Sequence, residues 1–271
     1  RHSLNSARVT DGQPTAILAK TIVGKGIHFL EGERSHNMYV TEEVANRARA
    51  ILQNQSFVEA PDNTQAHDLH LEDFTSTTST ANADVPRYYG ESLIAIASQK
   101  EEIVCLGVDL SVPTESDGFR DKFPNRYFSI GMAEANAVGV ASGIAKMGGI
   151  PFVHSFSVFL TRRSYDQVAM QIAYPRSNVK LVGFLPGLTT NLGPSHQAID
   201  DLALMRALPN MVVLEPSGPE QYASAVQAIV DYEGPVYLRL RRSEQIAKFR
   251  SAADSFNIGG SEILRDGNDV V

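Results

Sequence analysis

Short apolar runs alternate with amphipathic stretches along the chain from about residue 88 to residue 240. The runs are bounded by turn-forming residues, as is typical of buried strands, and the stretches between them carry apolar residues at helical spacing. This alternation predicts an α/β fold in which a parallel sheet is flanked by helices. The predicted strands are "EIVCLGVDL", "IPFVHSF", "NVKLVGFL", "MVVLEP" and "PVYLRL". The predicted helices cover about 88–99 and 134–146, together with "RRSYDQVAMQIAY", "AIDDLALMRAL" and "GPEQYASAVQAIV".

The first part of the chain has a different pattern. "PTAILAKTIVGKG" predicts a β-like run closed by a Gly-rich turn, and "TEEVANRARAIL" predicts a helix with Thr41 as its N-cap. Residues 59–86 are polar and rich in Ser and Thr, which is typical of a linker, although an ordered surface crossing is the alternative. The chain begins at Arg1 and ends in "GNDVV", so we expect a piece of a longer polypeptide or one subunit of a split enzyme.

Composition excludes several classes of function. The 271 residues carry a net charge of −7 without a recurring basic stripe, which disfavours nucleic-acid binding. The sequence contains no run of 18 apolar residues, so no membrane span is expected. The single cysteine, Cys105, lies in an apolar run and has no intrachain partner, which fits a reducing cytoplasm.

One carboxylate stands out in "SIGMAEANAVGVASGIAKMGGIPFV". Glu134 heads a run of small apolar residues, and the next charge is Lys146. One interpretation is an acidic residue stabilised by the dipole at a helix N-terminus. The other is a catalytic carboxyl group, because an apolar setting disfavours its charged form and lets it exchange a proton near neutral pH.

Other chemically capable residues follow predicted strands, where parallel sheets bind ligands. Asp109 in "GVDLS" is either a turn residue or a site acid. Phe156 and Phe159 are either core residues or a stacking surface, and His196 in "GPSHQ" is either solvated or a proton carrier. Four arginines are either surface charge or phosphate ligands, namely Arg87, Arg239, Arg241 and Arg242.

Long ordered motifs in the chain resemble the transketolase family. "GMAEANAVGVASGIAKMGGIPFVHSFSVFLTRRSYDQV", "GPSHQAIDDLALMRALPNMVVLEP" and "GPVYLRLRR" are similar to its pyrimidine-binding domain. "DGQPTAILAKTIVGKG" is similar to the end of its diphosphate-binding domain. The resemblance implies a thiamine-diphosphate-binding fold divided into the end of the diphosphate-binding domain (1–55), a linker (56–86), the pyrimidine-binding domain (87–250) and the start of a C-terminal domain (251–271).

The resemblance also implies roles for individual residues. The glutamate matching Glu134 hydrogen-bonds N1′ of the aminopyrimidine of thiamine diphosphate and thereby promotes formation of the ylide. Phe156 and Phe159 pack on that ring, and Asp109 lies near the cofactor. His196 faces the cofactor and the substrate, so Glu134 and His196 are the expected catalytic residues. Substrate binding is expected at Arg87, His36 and Arg241, with Arg239 and Arg242 as competitors for the last position.

Some positions depart from the family pattern. Arg162 stands where a third cofactor-packing aromatic is expected, which alters the rim of the pocket. Leu192 replaces an Asp that reads the donor hydroxyl, and Phe184 and Leu185 stand where a histidine is expected. Lost hydrogen-bonding groups should change the choice of substrate.

The Gly-Asp-Gly motif that holds the divalent cation and diphosphate is absent from the sequence. We therefore expect the Mg²⁺ ligands on another segment or chain, in a homodimer or a heterotetramer.

The activity that the resemblance implies is transfer of a two-carbon ketol unit from a ketose or its phosphate to an aldose. The alternatives are a pyruvate-decarboxylating enzyme like deoxyxylulose-phosphate synthase, a close relative, and a non-catalytic partner subunit.

Overall fold

The computed structural model describes residues 24–31, 40–54, 87–188, 192–241 and 256–260, with residues 9, 22 and 190. The chain divides into two compact units, Arg1–Thr75 and Ser76–Val271. The predicted linker and most of the predicted last domain lie outside the described residues, so the domain boundaries stay predictions.

The first unit contains a Gly-rich turn, a short 3₁₀ helix and helix α1. Residues 24–26 form the turn, the 3₁₀ helix spans His28–Leu30, and α1 spans Glu42–Asn54. The Oγ1 of Thr41 accepts a hydrogen bond from the backbone N–H of Val44 at 3.3 Å, which confirms the predicted N-cap.

The second unit is built on a six-stranded sheet in which every pairing is parallel, with strand order β2-β1-β3-β4-β6-β5. This arrangement confirms the α/β prediction. The strands are β1 (Ile103–Gly107), β2 (Tyr127–Ser129), β3 (Ile150–Phe156), β4 (Lys180–Phe184), β5 (Val212–Leu214) and β6 (Val236–Leu240). The three-residue edge strand β2 has too few residues to show an apolar period, and the sequence did not predict it.

The helices agree with the predicted pattern, with two exceptions. They are α2 (Tyr88–Ala97), α3 (Asp117–Lys122), α4 (Glu134–Lys146), α5 (Tyr165–Gln167), α6 (Asp201–Arg206) and α7 (Tyr222–Asp231). Short 3₁₀ helices span Pro124–Arg126, Pro194–His196 and Pro219–Gln221. Helix α4 begins and ends where predicted, whereas α3 was not predicted. The segment predicted as one regular helix consists of α5 between two π-helical turns, π1 (Phe159–Arg163) and π2 (Val168–Ala173). Within the described parts of the chain, every helix is too short or too polar to cross a bilayer.

The core forms because the central strands are mostly apolar and are buried on both faces. Every residue of β4 is buried, as is every residue of β3 after Ile150. Helix α4 packs against β3, and α2 packs against α7. Burial on both faces fixes the strands and leaves their carboxyl ends as the place where polar side chains emerge.

A remote carboxylate fixes the start of α2 and the loop that follows β1. The Oε2 of Glu115 accepts hydrogen bonds from the backbone N–H groups of Tyr89 at 3.1 Å and Gly90 at 3.0 Å. A Cβ at Gly90 would lie 2.4 Å from the backbone oxygen of Glu115, so a larger residue would push the loop away. This contact holds the loop that carries Asp109.

One histidine lies at the centre of the sheet. His154 is fully buried in β3, and its Nε2 makes a 2.8 Å hydrogen bond with the hydroxyl of Tyr89. Burial lowers the pKa of His154 from 6.5 to about 4, although nearby backbone groups of Leu106 and Phe152 offset part of the effect. The side chain is therefore neutral in the folded protein at neutral pH.

His154 should make the fold acid-sensitive. Because its pKa is lower in the folded state, the unfolded chain takes up the proton first, and stability falls as the pH drops from 6.5 towards 4. The expected loss approaches about 3 kcal/mol. Urea unfolding of wild type and His154→Gln at pH 7 and pH 4.5 measures it. The variant should lose clearly less stability between the two pH values, and equal losses would show that His154 is not the responsible group.

Candidate active site

The site lies where β1 and β3 end. These neighbouring strands run parallel with Gly107 opposite His154, so the residues that follow them lie along one edge of the sheet. Phe156 ends β3, Phe159 begins π1, and Asp109 lies two residues beyond β1. Asp109 has a φ of 64°, so a tight left-handed turn redirects the chain at this edge.

Glu134 is both a helix N-terminal residue and a buried carboxylate. It begins α4, and only 2% of its side chain is exposed. Its Oε2 accepts a hydrogen bond from a terminal nitrogen of Arg163 at 3.0 Å, and its Oε1 accepts a longer one from the Oγ of Ser155 at 3.4 Å. The helix N-terminal position and the buried setting expected from the sequence are therefore combined in one side chain, and its catalytic role stays a prediction.

Three rings form an aromatic cluster beside this carboxylate: Phe156, Phe159 and His196. The centroids of Phe156 and Phe159 are 5.9 Å apart with nearly parallel planes. His196 meets both rings edge-on, at 6.2 Å from Phe156 and 5.1 Å from Phe159. Its Nδ1 makes a 2.9 Å hydrogen bond with the hydroxyl of Ser195. The structure thus brings together the residues predicted to face the pyrimidine ring.

Arg163 connects the carboxylate to the aromatic cluster, and sequence reasoning missed it. Its guanidinium carbon lies 4.3 Å from the centroid of the Phe159 ring while the same group donates to Glu134. The available signal was the pair of arginines after the aromatics in "FLTRR". The first of them, Arg162, pairs instead with Asp200, at 3.0 Å from its Nε to either carboxylate oxygen. Its predicted role at the cofactor stays a prediction.

Arg87 is held by an acid rather than presented to solvent. It forms a two-point ion pair with Asp117, one contact of which spans 2.9 Å from Nη1 to Oδ2. The Asp117 side chain is almost fully buried. The role of Arg87 in substrate binding stays a prediction, and 27% of its side chain remains exposed beside this partner.

The two arginines at the end of β6 differ in environment. Arg239 is 11% exposed and donates to Asp201 and Glu215, each at 2.7 Å. Arg241 is 54% exposed and donates through Nε to Glu215 at 3.2 Å. Arg241 is therefore the better placed of the two to meet a ligand. Arg242 and His36, the remaining candidates, lie outside the described residues.

The positions that depart from the family pattern are apolar in the structure as well. Leu192 is exposed in the loop between β4 and α6. Phe184 and Leu185 are buried, and the Phe184 ring packs edge-on against Tyr89 at 5.6 Å. These side chains offer no hydrogen bond to a substrate hydroxyl.

The fold is a parallel α/β sheet with a buried carboxylate and aromatic rings at its carboxyl edge, which is where sheets of this class bind ligands. Residues 82–246 match the family model of the transketolase pyrimidine-binding domain, and the chain belongs to the transketolase family.

Three relatives illustrate this membership. The chain is 41% identical to 6-deoxy-6-sulfo-D-fructose transketolase subunit SqwH of Clostridium sp. (strain MSTE9), over 67% of this chain and 56% of that protein. It is 41% identical to a putative transketolase C-terminal section of Methanocaldococcus jannaschii, over 67% of this chain and 58% of that protein. A solved structure described as a split gene transketolase, inactive beta4 tetramer, matches with a TM-score of 0.59 and 40% identity, over 66% and 58% of the two chains. This chain thus spans little more than half the length of these relatives.

The residues present fit one part of thiamine diphosphate, the cofactor that the family implies. A buried carboxylate, flat aromatic faces and an imidazole suit a planar aminopyrimidine with hydrogen-bonding nitrogens. Among the residues that the structure describes, no group of three or more His, Cys, Asp or Glu side chains is placed to hold a metal ion.

Arg239 in β6 and Arg241 just after it should contribute differently to the free energy of unfolding. Arg239→Leu leaves Asp201 buried without its cation, so we expect a loss of about 3–5 kcal/mol in the free energy of unfolding. Arg241→Leu removes a solvent-exposed ion pair and should change it by less than about 1 kcal/mol. Urea denaturation of both variants measures the difference. Equal effects would contradict the structural role assigned to Arg239.

Proposed function

We propose that this chain supplies the pyrimidine-binding half of a thiamine-diphosphate-dependent transketolase-type transferase. The reaction moves a two-carbon ketol unit from a ketose, or its phosphate, to an aldose acceptor. The observation that carries the proposal is the almost fully buried Glu134 beside the Phe156–Phe159–His196 cluster. A subunit that only supported assembly would have no need of a buried acid next to an aromatic cluster.

Each residue of the site has a defined task in this proposal. Glu134 would hold and exchange a proton at N1′ of the aminopyrimidine, and Phe156 and Phe159 would orient that ring. His196 would move protons to and from the substrate, because an imidazole has one nitrogen that can donate a proton and one that can accept it. When bound, thiamine diphosphate supplies the carbon nucleophile that attacks the ketose carbonyl.

The substrate should differ from the usual pentose phosphates. Leu192, Phe184 and Leu185 replace the polar residues expected around the donor sugar. A relative named as a 6-deoxy-6-sulfo-D-fructose transketolase subunit supports the idea that this branch of the family accepts other sugars. Arg241, half exposed at the end of β6, is the group we expect to meet an anionic end of the substrate.

The remaining half of the site is expected on a partner. Relatives named as a transketolase subunit and as a C-terminal section support a split enzyme, in which a second chain carries the diphosphate and Mg²⁺ motif. A homodimer or a heterotetramer, working in the cytoplasm, would place that motif against the aromatic cluster.

Replacing the acid tests the catalytic role. Glu134→Gln keeps the size and hydrogen-bonding capacity of the side chain but cannot exchange a proton as a carboxyl group does. We expect ketol transfer by the assembled complex to fall at least about 100-fold. The control is Glu101→Gln, an exposed residue just before β1, which should leave activity unchanged. An unaltered rate in assembled Glu134→Gln would favour the non-catalytic alternative.

A donor comparison tests the reaction class. The complex should turn over ketoses or ketose phosphates in the presence of an aldose acceptor. Xylulose 5-phosphate should be a poorer donor than at least one other ketose, because the residue expected to read its hydroxyl is Leu192. Steady-state kinetics with several donors and with pyruvate measures this. Carbon dioxide release from pyruvate would favour the deoxyxylulose-phosphate-synthase-like alternative, and ordinary xylulose 5-phosphate activity would contradict the altered preference.

A further inference from the structure

We infer that Arg163 is a latch, which holds Glu134 in the ligand-free protein and must move aside when the aminopyrimidine enters. The inference rests on the proposed function, because the displacing group is the cofactor ring. It adds a residue that determines how readily the site opens.

The geometry places the guanidinium where a ligand ring is expected. It is planar, it lies 4.3 Å from the Phe159 ring centroid, and it donates to Oε2 of Glu134 at 3.0 Å. An aminopyrimidine held between these two residues would stack on the same aromatic surface and hydrogen-bond the same carboxylate. A ring that stacked on the same face of Phe159 and hydrogen-bonded Oε2 of Glu134 would occupy the place of the guanidinium.

Burial explains why a latch is needed. A carboxylate with 2% of its side chain exposed is costly without a cation or hydrogen-bond donors. Arg163 supplies that cation from the solvent side, since 48% of its own side chain is exposed. Its long flexible side chain can therefore return to water by changing rotamer, without any movement of the core.

The π-helical turn selects which of two adjacent arginines becomes the latch. Turn π1 begins at Phe159 and ends at Arg163, so the ring and the guanidinium meet across the turn. Single π turns are rare and are frequent at functional sites. Arg162 points to Asp200 instead, so it cannot replace its neighbour at Glu134.

If Arg163 is a latch, its contribution to the stability of the ligand-free chain should depend on the charge of Glu134. Arg163→Met removes the cation but keeps an apolar stem, and should lower the midpoint of thermal unfolding by on the order of 5 °C. In a Glu134→Gln background the same change should have much less effect, because no buried charge is left unpaired. Lys100→Met, which removes the exposed ion pair with Asp231 at the opposite edge of the sheet, is the matched control and should shift the midpoint little.

The decisive measurement is calorimetric binding of thiamine diphosphate with Mg²⁺ to the complex of this chain and its partner. Removing a competing group raises the fraction of competent sites, so Arg163→Met should bind the cofactor about 10-fold more tightly than wild type and Lys100→Met. Unchanged or weaker binding by Arg163→Met would overturn the latch, since a residue that contacts the bound cofactor directly would lower the affinity when removed.

The two proposals fail in different ways. If the wild-type complex binds no thiamine diphosphate, the proposed function is wrong and the latch is overturned with it. If wild type binds and Arg163→Met binds no better, only the latch is wrong. Additive stability effects of Arg163→Met and Glu134→Gln would also contradict it, because they would show that the ion pair is not coupled.

Discussion

In the ligand-free protein, the ion pair between Glu134 and Arg163 compensates the charge of the buried carboxylate at the centre of the site. A buried carboxylate stays in the interior only when donors surround it, and here they come from two different segments. Arg163 belongs to the π turn after β3, and Ser155 belongs to β3 itself. The pair therefore ties the first residue of α4 to the end of the central strand. Two rings of the aromatic cluster lie in the same segment, because Phe156 and Phe159 fall between Ser155 and Arg163 in the chain.

The parallel sheet makes this junction possible. Strands β1, β3 and β4 are buried, so their positions are fixed. Because they run parallel, their carboxyl ends lie along the same edge of the sheet. Polar groups can then be concentrated at one edge without opening the core. Where the sheet does contain a titratable group, as at His154, burial lowers its pKa to about 4 and keeps it neutral at physiological pH. The same packing therefore leaves charged side chains such as Glu134 and Arg163 at the edge of the sheet and keeps His154, in its middle, uncharged.

The sequence predicted those helices and strands whose bounds are determined by residue types visible in the hydrophobic pattern. The bounds of α4 and β3 were predicted because small apolar residues and an isolated acid mark them. The choice between Arg162 and Arg163 was not predictable, since it depends on a π turn, which the sequence pattern did not predict and which shifts the hydrogen bonding by one residue. The roles of Arg239 and Arg241 were also ambiguous, because the two residues lie two positions apart at the end of the same strand. Their difference in burial comes from Asp201 and Glu215, which are distant in sequence.

Pairing of the arginines also limits how this chain can bind an anionic sugar. Arg87 is bound at two points by an almost fully buried aspartate, and Arg239 by two acids, so redirecting either would leave buried carboxylates without a cation. Arg241 shares Glu215 with Arg239, and Glu215 keeps that second partner if Arg241 moves. Moving Arg241 therefore leaves no acid unpaired. For this reason we expect an anionic substrate group to be met first by Arg241, and its negative charge to be compensated there without disturbing the network around Asp201.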